Sequence, residues 1–182
     1  MQARLSTTTI RTLFFACVIG LVFATTSQAQ TITDNEIFTV GVPGQFSISS
    51  PAPSVSITHD NTETNQVFPA QTWHVKSRTR DGATVVFATN QAFTHTTDAT
   101  YKSDAILGLA IASAQAKANW TVTTASDQTN YAGSDEVAAV QAASTKAGKA
   151  SFNLTVTFVT DGEDALAEGD YSLTVTGTLT AN

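Results

Sequence analysis

Five carboxylates crowd one short stretch of the chain: Asp161, Glu163, Asp164, Glu168 and Asp170. Calcium takes about six to eight oxygen ligands, and a loop this acidic is a candidate source of them. The spacing is not that of an EF-hand, and a solvated acidic loop that blunts a sheet end accounts for the same residues. Asp161, Glu163, Asp164 and Asp170 are the candidate ligands, and calcium is the one cofactor the sequence suggests. His59, His74 and His95 share no zinc-ligand spacing, and Cys17 is the single cysteine. No Gly-x-Ser-x-Gly elbow, no Ser–His–Asp arrangement and no phosphate-binding Gly-x-x-x-x-Gly-Lys occurs. No catalytic residue is assigned, and the chain reads as a non-enzyme.

Aromatic side chains offer a second kind of chemistry, stacking on a sugar face. Tyr101, Trp120 and Tyr131 bracket one region. Trp120 alternates with Val122 on the face expected to be buried, so it reads as core. Tyr101 and Tyr131 remain as candidate binding residues. They carry the alternative functional reading, a carbohydrate- or ligand-binding module.

Charge and composition narrow the classes. The chain has 182 residues, 42% apolar and only 13% charged, against about 25% charged in an average soluble protein. Residues 1–29 have the parts of a secretory signal: Arg4 and Arg11, an apolar stretch from Leu13 to Ala24, and Ser27-Gln28-Ala29 before the cleavage point. The stretch is shorter than the roughly 20 residues of a membrane span. Removal of the signal leaves residues 30–182 as one domain with no membrane span, 7 basic and 15 acidic residues, and a net charge of −8. Lys76, Arg78 and Arg80 are the nearest thing to a basic cluster, which argues against a nucleic-acid partner. With no cysteine left, stability comes from core packing rather than a disulfide. The expected location is secreted, periplasmic or cell-surface.

Positioning falls to β-strands. Thr occurs 26 times beyond residue 29, and period-2 alternation dominates. Expected strands span 36–41, 44–49, 53–58, 71–77, 83–89, 104–112 and 118–124. The clearest are 149–159, with Phe152, Leu154, Val156 and Phe158 alternating, and 171–179, with Tyr171, Leu173, Val175 and Leu179. These last two are expected to pair as a long hairpin around the acidic loop. Asp81-Gly82 is expected to turn a second hairpin. Residues 134–143 fit either a short helix capped by Ser134 or a strand paired with 149–159, the strand being favoured. The sequons at Asn119 and Asn153 fall in expected strands. His74 is expected to face solvent, opposite Trp73, and both tryptophans to centre the core. Eight to ten short strands describe an all-β fold, a single immunoglobulin-like antiparallel β-sandwich.

The ending, Gly169-Asp170-Tyr171-Ser172-Leu173-Thr174-Val175-Thr176-Gly177-Thr178-Leu179-Thr180, resembles that of pilin-like subunits of bacterial surface fibres and of spore-coat-type secreted β-sandwiches. Those proteins commonly finish with Gly, an aromatic and an alternating Thr-Val-Thr run. Here the penultimate residue is Ala181 where such pilins place an aromatic. The resemblance implies a surface compartment and a sandwich architecture. The functional expectation is an exported structural or adhesive protein whose partner, itself or another surface protein, is engaged by strand pairing. Residues 30–40 would add to a neighbour's exposed edge.

Overall fold

Alternating apolar and Thr/Ser residues become strands wherever a partner ladder is available. The computed structural model describes residues 37–40, 45–160, 162 and 166–182. The chain divides into two units, Met1–Val40 and Gly41–Asn182. In the first, Ile37, Phe38 and Val40 are exposed and carry no regular secondary structure. The expected signal, residues 1–29, lies outside the described residues.

The strands of the second unit are β1 (Phe46–Ser49), β2 (Gln66–Val67), β3 (Gln71–Ser77), β4 (Ala83–Thr89), β5 (Phe93–His95), β6 (Lys102–Ser103) and β7 (Ala105–Ala114). They continue with β8 (Thr121–Thr124), β9 (Ser126–Gln128), β10 (Ala139–Ala143), β11 (Gly148–Phe158), β12 (Tyr171–Ser172) and β13 (Val175–Ala181). One antiparallel sheet runs β1-β3-β11-β7-β9, with β2 on the tail of β11; a second runs β13-β4-β10-β8; a small third runs β12-β5-β6. The two larger sheets form a β-sandwich. Leu107, Leu109, Phe152 and Leu154 from the first sheet meet Val85, Phe87 and Val140 from the second in one apolar cluster. Phe87 crosses the gap to Trp73 and Phe152, at 5.1 and 6.3 Å between centroids. Trp120 is buried edge-on against Phe152. A smaller cluster of Phe93, Ala105 and Phe158 sits under the third sheet.

Both expected hairpins are overturned, for one reason. A strand has two edges, and β11 spends both of them on β3 and β7. The terminal segment therefore pairs elsewhere: β13 lies against β4 in the opposite sheet. Likewise β3 is flanked by β1 and β11, while β4 is flanked by β13 and β10. Asp81-Gly82 thus carries the chain from one sheet to the other. Gly82 has φ +85°, and a Cβ there would fall 2.0 Å from the Ser144 carbonyl oxygen, so only glycine fits the crossing.

Within residues 134–143 the strand alternative prevails, as β10, but its ladders run to β4 and β8 and not to 149–159. Residues 53–58 form no strand; Pro53 removes a ladder donor. Asn119 stands outside any strand, in a left-handed cap at φ 50°, whereas Asn153 lies within β11 and accepts a hydrogen bond from Thr72. The 171–179 segment is broken, with Leu173 and Thr174 between β12 and β13. His74 is exposed, as its alternation with Trp73 requires.

Candidate functional site

The sandwich has two lateral sides, and the described residues close one of them. Thr121–Thr124 pairs in the second sheet and Ser126–Gln128 in the first, so a single segment kinked at Ala125 ties the sheets together. The Ala125 carbonyl accepts from Leu109 N at 2.8 Å. Its two halves are four and three residues long, and the register slips beside Gln141. Such short, bulged edges are poor templates for a foreign strand.

The other side ends on β1 and β13. Strand β13 is seven residues long, the longest sheet edge among the described residues. Its ladder phase follows from two backbone bonds. The Thr174 carbonyl accepts from Asn90 N at 2.9 Å, and Asn182 N donates to the Gly82 carbonyl at 3.3 Å. Hydrogen-bonded residues alternate along an antiparallel pair. Thr176, Thr178 and Thr180 therefore turn their backbone groups to β4. Val175, Gly177, Leu179 and Ala181 turn theirs to the open edge, an N–H and a C=O from each.

Side chains follow the same alternation. Val175 and Leu179 pack on the core while Thr176, Thr178 and Thr180 are exposed. From Tyr171 to Asn182 there is no charged residue and no proline. Natural edges are usually guarded by Lys, Pro, a bulge or a cover. Here the register with β4 runs unbroken over seven pairs.

Strand β1 sits across the sandwich from β13 at this side. Its residues Phe46, Ser47, Ile48 and Ser49 pair with Ser77, Lys76, Val75 and His74. Ile48 reaches inward and fills the place a side chain would take at Gly177. Phe46 is 40% exposed. Among the described residues this side thus presents an apolar ring and a backbone edge with no ladder partner.

The candidate ligand-binding residues are not assembled into a platform. Tyr101 is 43% exposed, and its one aromatic neighbour among the described residues is His95, edge-on at 6.1 Å. Tyr131 is half-buried in a single 3-10 turn after β9, anchored where its N–H donates to Asp104 at 2.9 Å. Neither stacks with the other, and Trp120 is buried with its Nε1 unpartnered. Of the candidate calcium ligands, Asp161, Glu163 and Asp164 lie outside the described residues. Asp170 is exposed, and its carbonyl accepts from Thr96 N at 2.8 Å. No group of three or more His, Cys, Asp or Glu among the described residues is placed to hold a metal ion. No described helix is long and apolar enough to cross a membrane.

His95 is the histidine with the most built surroundings. Its Nδ1 accepts from Asp98 N at 3.1 Å, and its Nε2 lies 3.1 Å from the Glu168 carbonyl. A carbonyl can only accept, so the ring proton is assigned to Nε2. Tyr171 lies edge-on to the ring at 5.1 Å. Both ring nitrogens are used in holding loops together, which makes His95 a structural residue.

Comparison with known proteins finds no matching family model, no matching curated protein and no matching solved structure.

Proposed function

We propose that this is an exported, non-enzymatic structural or adhesive protein of the cell surface or periplasm, which associates with itself or another surface protein along the open edge of β13. The observation that carries the reading is a seven-residue edge strand without charge, proline or bulge. An added strand would meet four outward N–H and four outward C=O groups, with backbone hydrogen bonds supplying affinity and alternate side chains supplying register. Residues 30–40 are the candidate incoming strand from a neighbouring copy. An immunoglobulin-like arrangement is the finer architectural reading that accompanies this proposal.

Light scattering behind size exclusion, with negative-stain microscopy of the same sample, tests it. Ordered oligomers or fibres are expected. They should be lost in the double variant Thr176→Lys/Thr178→Lys, which charges the exposed face of β13 and leaves the β4 ladder and the core side chains in place. They should also be lost on deleting residues 30–36. A clean monomer at every concentration would overturn self-association along β13 and leave a different surface protein as the partner to be sought.

A further inference from the structure

Charge on this molecule is sorted end to end. Beyond residue 29 the chain has seven Lys and Arg. Six of them, Lys76, Arg78, Arg80, Lys117, Lys146 and Lys149, lie at one end of the sandwich, the end marked by the start of β11. The registers place them there. Lys149 pairs with Lys76. Arg78 and Arg80 sit in the β3–β4 crossing and Lys146 in the β10–β11 link. Lys117 is in the 3-10 turn Ala116–Ala118, whose Ala118 packs against Gly148. The seventh, Lys102, is at the other end, in a salt bridge to Glu136 at 2.5 Å.

The opposite end, about 33 Å away along the eleven residues of β11, carries exposed Asp60, Glu63, Asp98, Asp135, Glu168 and Asp170. Asp60 and Glu63 precede β2, which pairs with Thr157 and Phe158. Glu168 and Asp170 are tied by their carbonyls to His95 and Thr96. Among the described residues, Asp81 is the carboxylate that the β3–β4 crossing brings to the basic end.

A second observation shows cations at the basic end that no described carboxylate pairs in a salt bridge. Lys76 and Lys149 stand directly opposite on neighbouring antiparallel strands, and both point to the outer face. Like charges so placed destabilise a sheet unless an anion lies between them. Around them runs a shallow groove of about 170 Å³, lined by Lys76, Arg78, Lys117, Lys149 and Gln115. Among the described residues the Lys102–Glu136 pair is the sole salt bridge, so no carboxylate of this chain's described part neutralises the groove.

We propose that the basic end of one copy docks on the acidic end of the next, so that copies associate head to tail along the strand axis. The occupant is argued from charge complementarity: six cations on one end face six exposed carboxylates on the other. The two contact surfaces differ, so the interface is heterologous and propagates into an open filament unless a rotation closes it. The partner is the one named by the strand-edge reading, but the surface and the force are different. Carboxylates in the groove would separate Lys76 from Lys149 and relieve their repulsion.

Two reversed variants test the proposal, followed by light scattering. Arg78→Glu/Lys149→Glu takes the basic end, Asp81 included, from +5 to +1, and Glu168→Lys/Asp170→Lys takes the six carboxylates of the acidic end from −6 to −2. The full chain is expected to associate at low salt and to dissociate toward about 1 M salt, where screening acts within about 3 Å. Each reversed variant alone should be monomeric at low salt, and an equimolar mixture of the two should associate again. Rescue in the mixture also shows that both variants fold. Association that survives either reversal or high salt, yet is lost in Thr176→Lys/Thr178→Lys, would overturn this inference and leave the strand-edge reading standing. The converse pattern would overturn the strand-edge reading alone. A low-salt monomer that is retained on a sulfated polysaccharide column would overturn the second copy as occupant in favour of an acidic glycan.

Discussion

Ile48 occupies the space that a side chain at Gly177 would need: a Cβ built there falls 2.8 Å from Ile48 Cδ1 and 3.1 Å from atoms of Phe87 and Trp73. This contact joins the edge strand of one sheet to the edge strand of the other and seals the core at the open side. Substituting Gly177→Val is expected to lower stability by about 1–3 kcal/mol through overpacking. Urea denaturation measures it, and an unchanged midpoint would show that Ile48 moves aside at no cost.

Gly169 stands in a similar relation to His95. Its φ is +141°, and a Cβ would lie 2.2 Å from His95 Nε2. Gly169→Ala should therefore displace the ring, break its bond to the Glu168 carbonyl and cost about 1–3 kcal/mol. Thermal unfolding gives the size. A nitrogen–proton correlation spectrum of the imidazole should show the proton on Nε2 in the parent protein and a changed signal in the variant.

Thr129 is fully buried and holds the start of β7. Its hydroxyl accepts from Ala105 N at 2.8 Å and donates to Asp104 at 2.7 Å. Thr129→Val keeps the shape and strips both bonds, with an expected loss of about 1–3 kcal/mol for each buried group left unpaired. Thr129→Ser should recover most of that loss. Equal stability of the Val and Ser variants would count against the network.

The hydroxyl of Thr100, donating at 2.6 Å, and its N–H, at 3.0 Å, hold the Asp98 carboxyl below its ordinary 3.8. Asp60 is lowered in the same way, first by the Thr62 hydroxyl. A carboxyl lowered on folding stabilises the protein above its unfolded value, and that contribution is lost as pH falls below 3.8. Thr100→Val should move the Asp98 titration upward toward 3.8 and flatten the acid limb of the stability curve. Carbon-detected titration of the carboxyl checks it; an unmoved midpoint would place the cause elsewhere.

Strand positions were legible because alternation is a local property. Phe152, Leu154 and Phe158 on β11, and Val75 on β3, are buried where period 2 puts them, and Trp120 is core. The candidate edge had a sequence signal too, the charge-free run after Asp170, whose weight rests on the run being an edge. Tyr101 and Tyr131 were selected by residue type, and type says nothing about whether two rings share a plane.

Taken alone, the amino-acid order determined that the chain is all-β, which faces of its strands are apolar, and that it is acidic without a disulfide after the expected signal. Only the tertiary structure decided which strands are neighbours. Short turns such as Asp81-Gly82 suggest pairing between consecutive strands, yet β3 and β4, like β11 and β13, belong to opposite sheets. The reason is that a strand face records burial, whereas its edges are backbone and nearly the same for every residue. Competition for two edges is settled by the whole set of strands at once. The same folding back carried Lys76, Lys117 and Lys149, far apart in the chain, to one end of the sandwich.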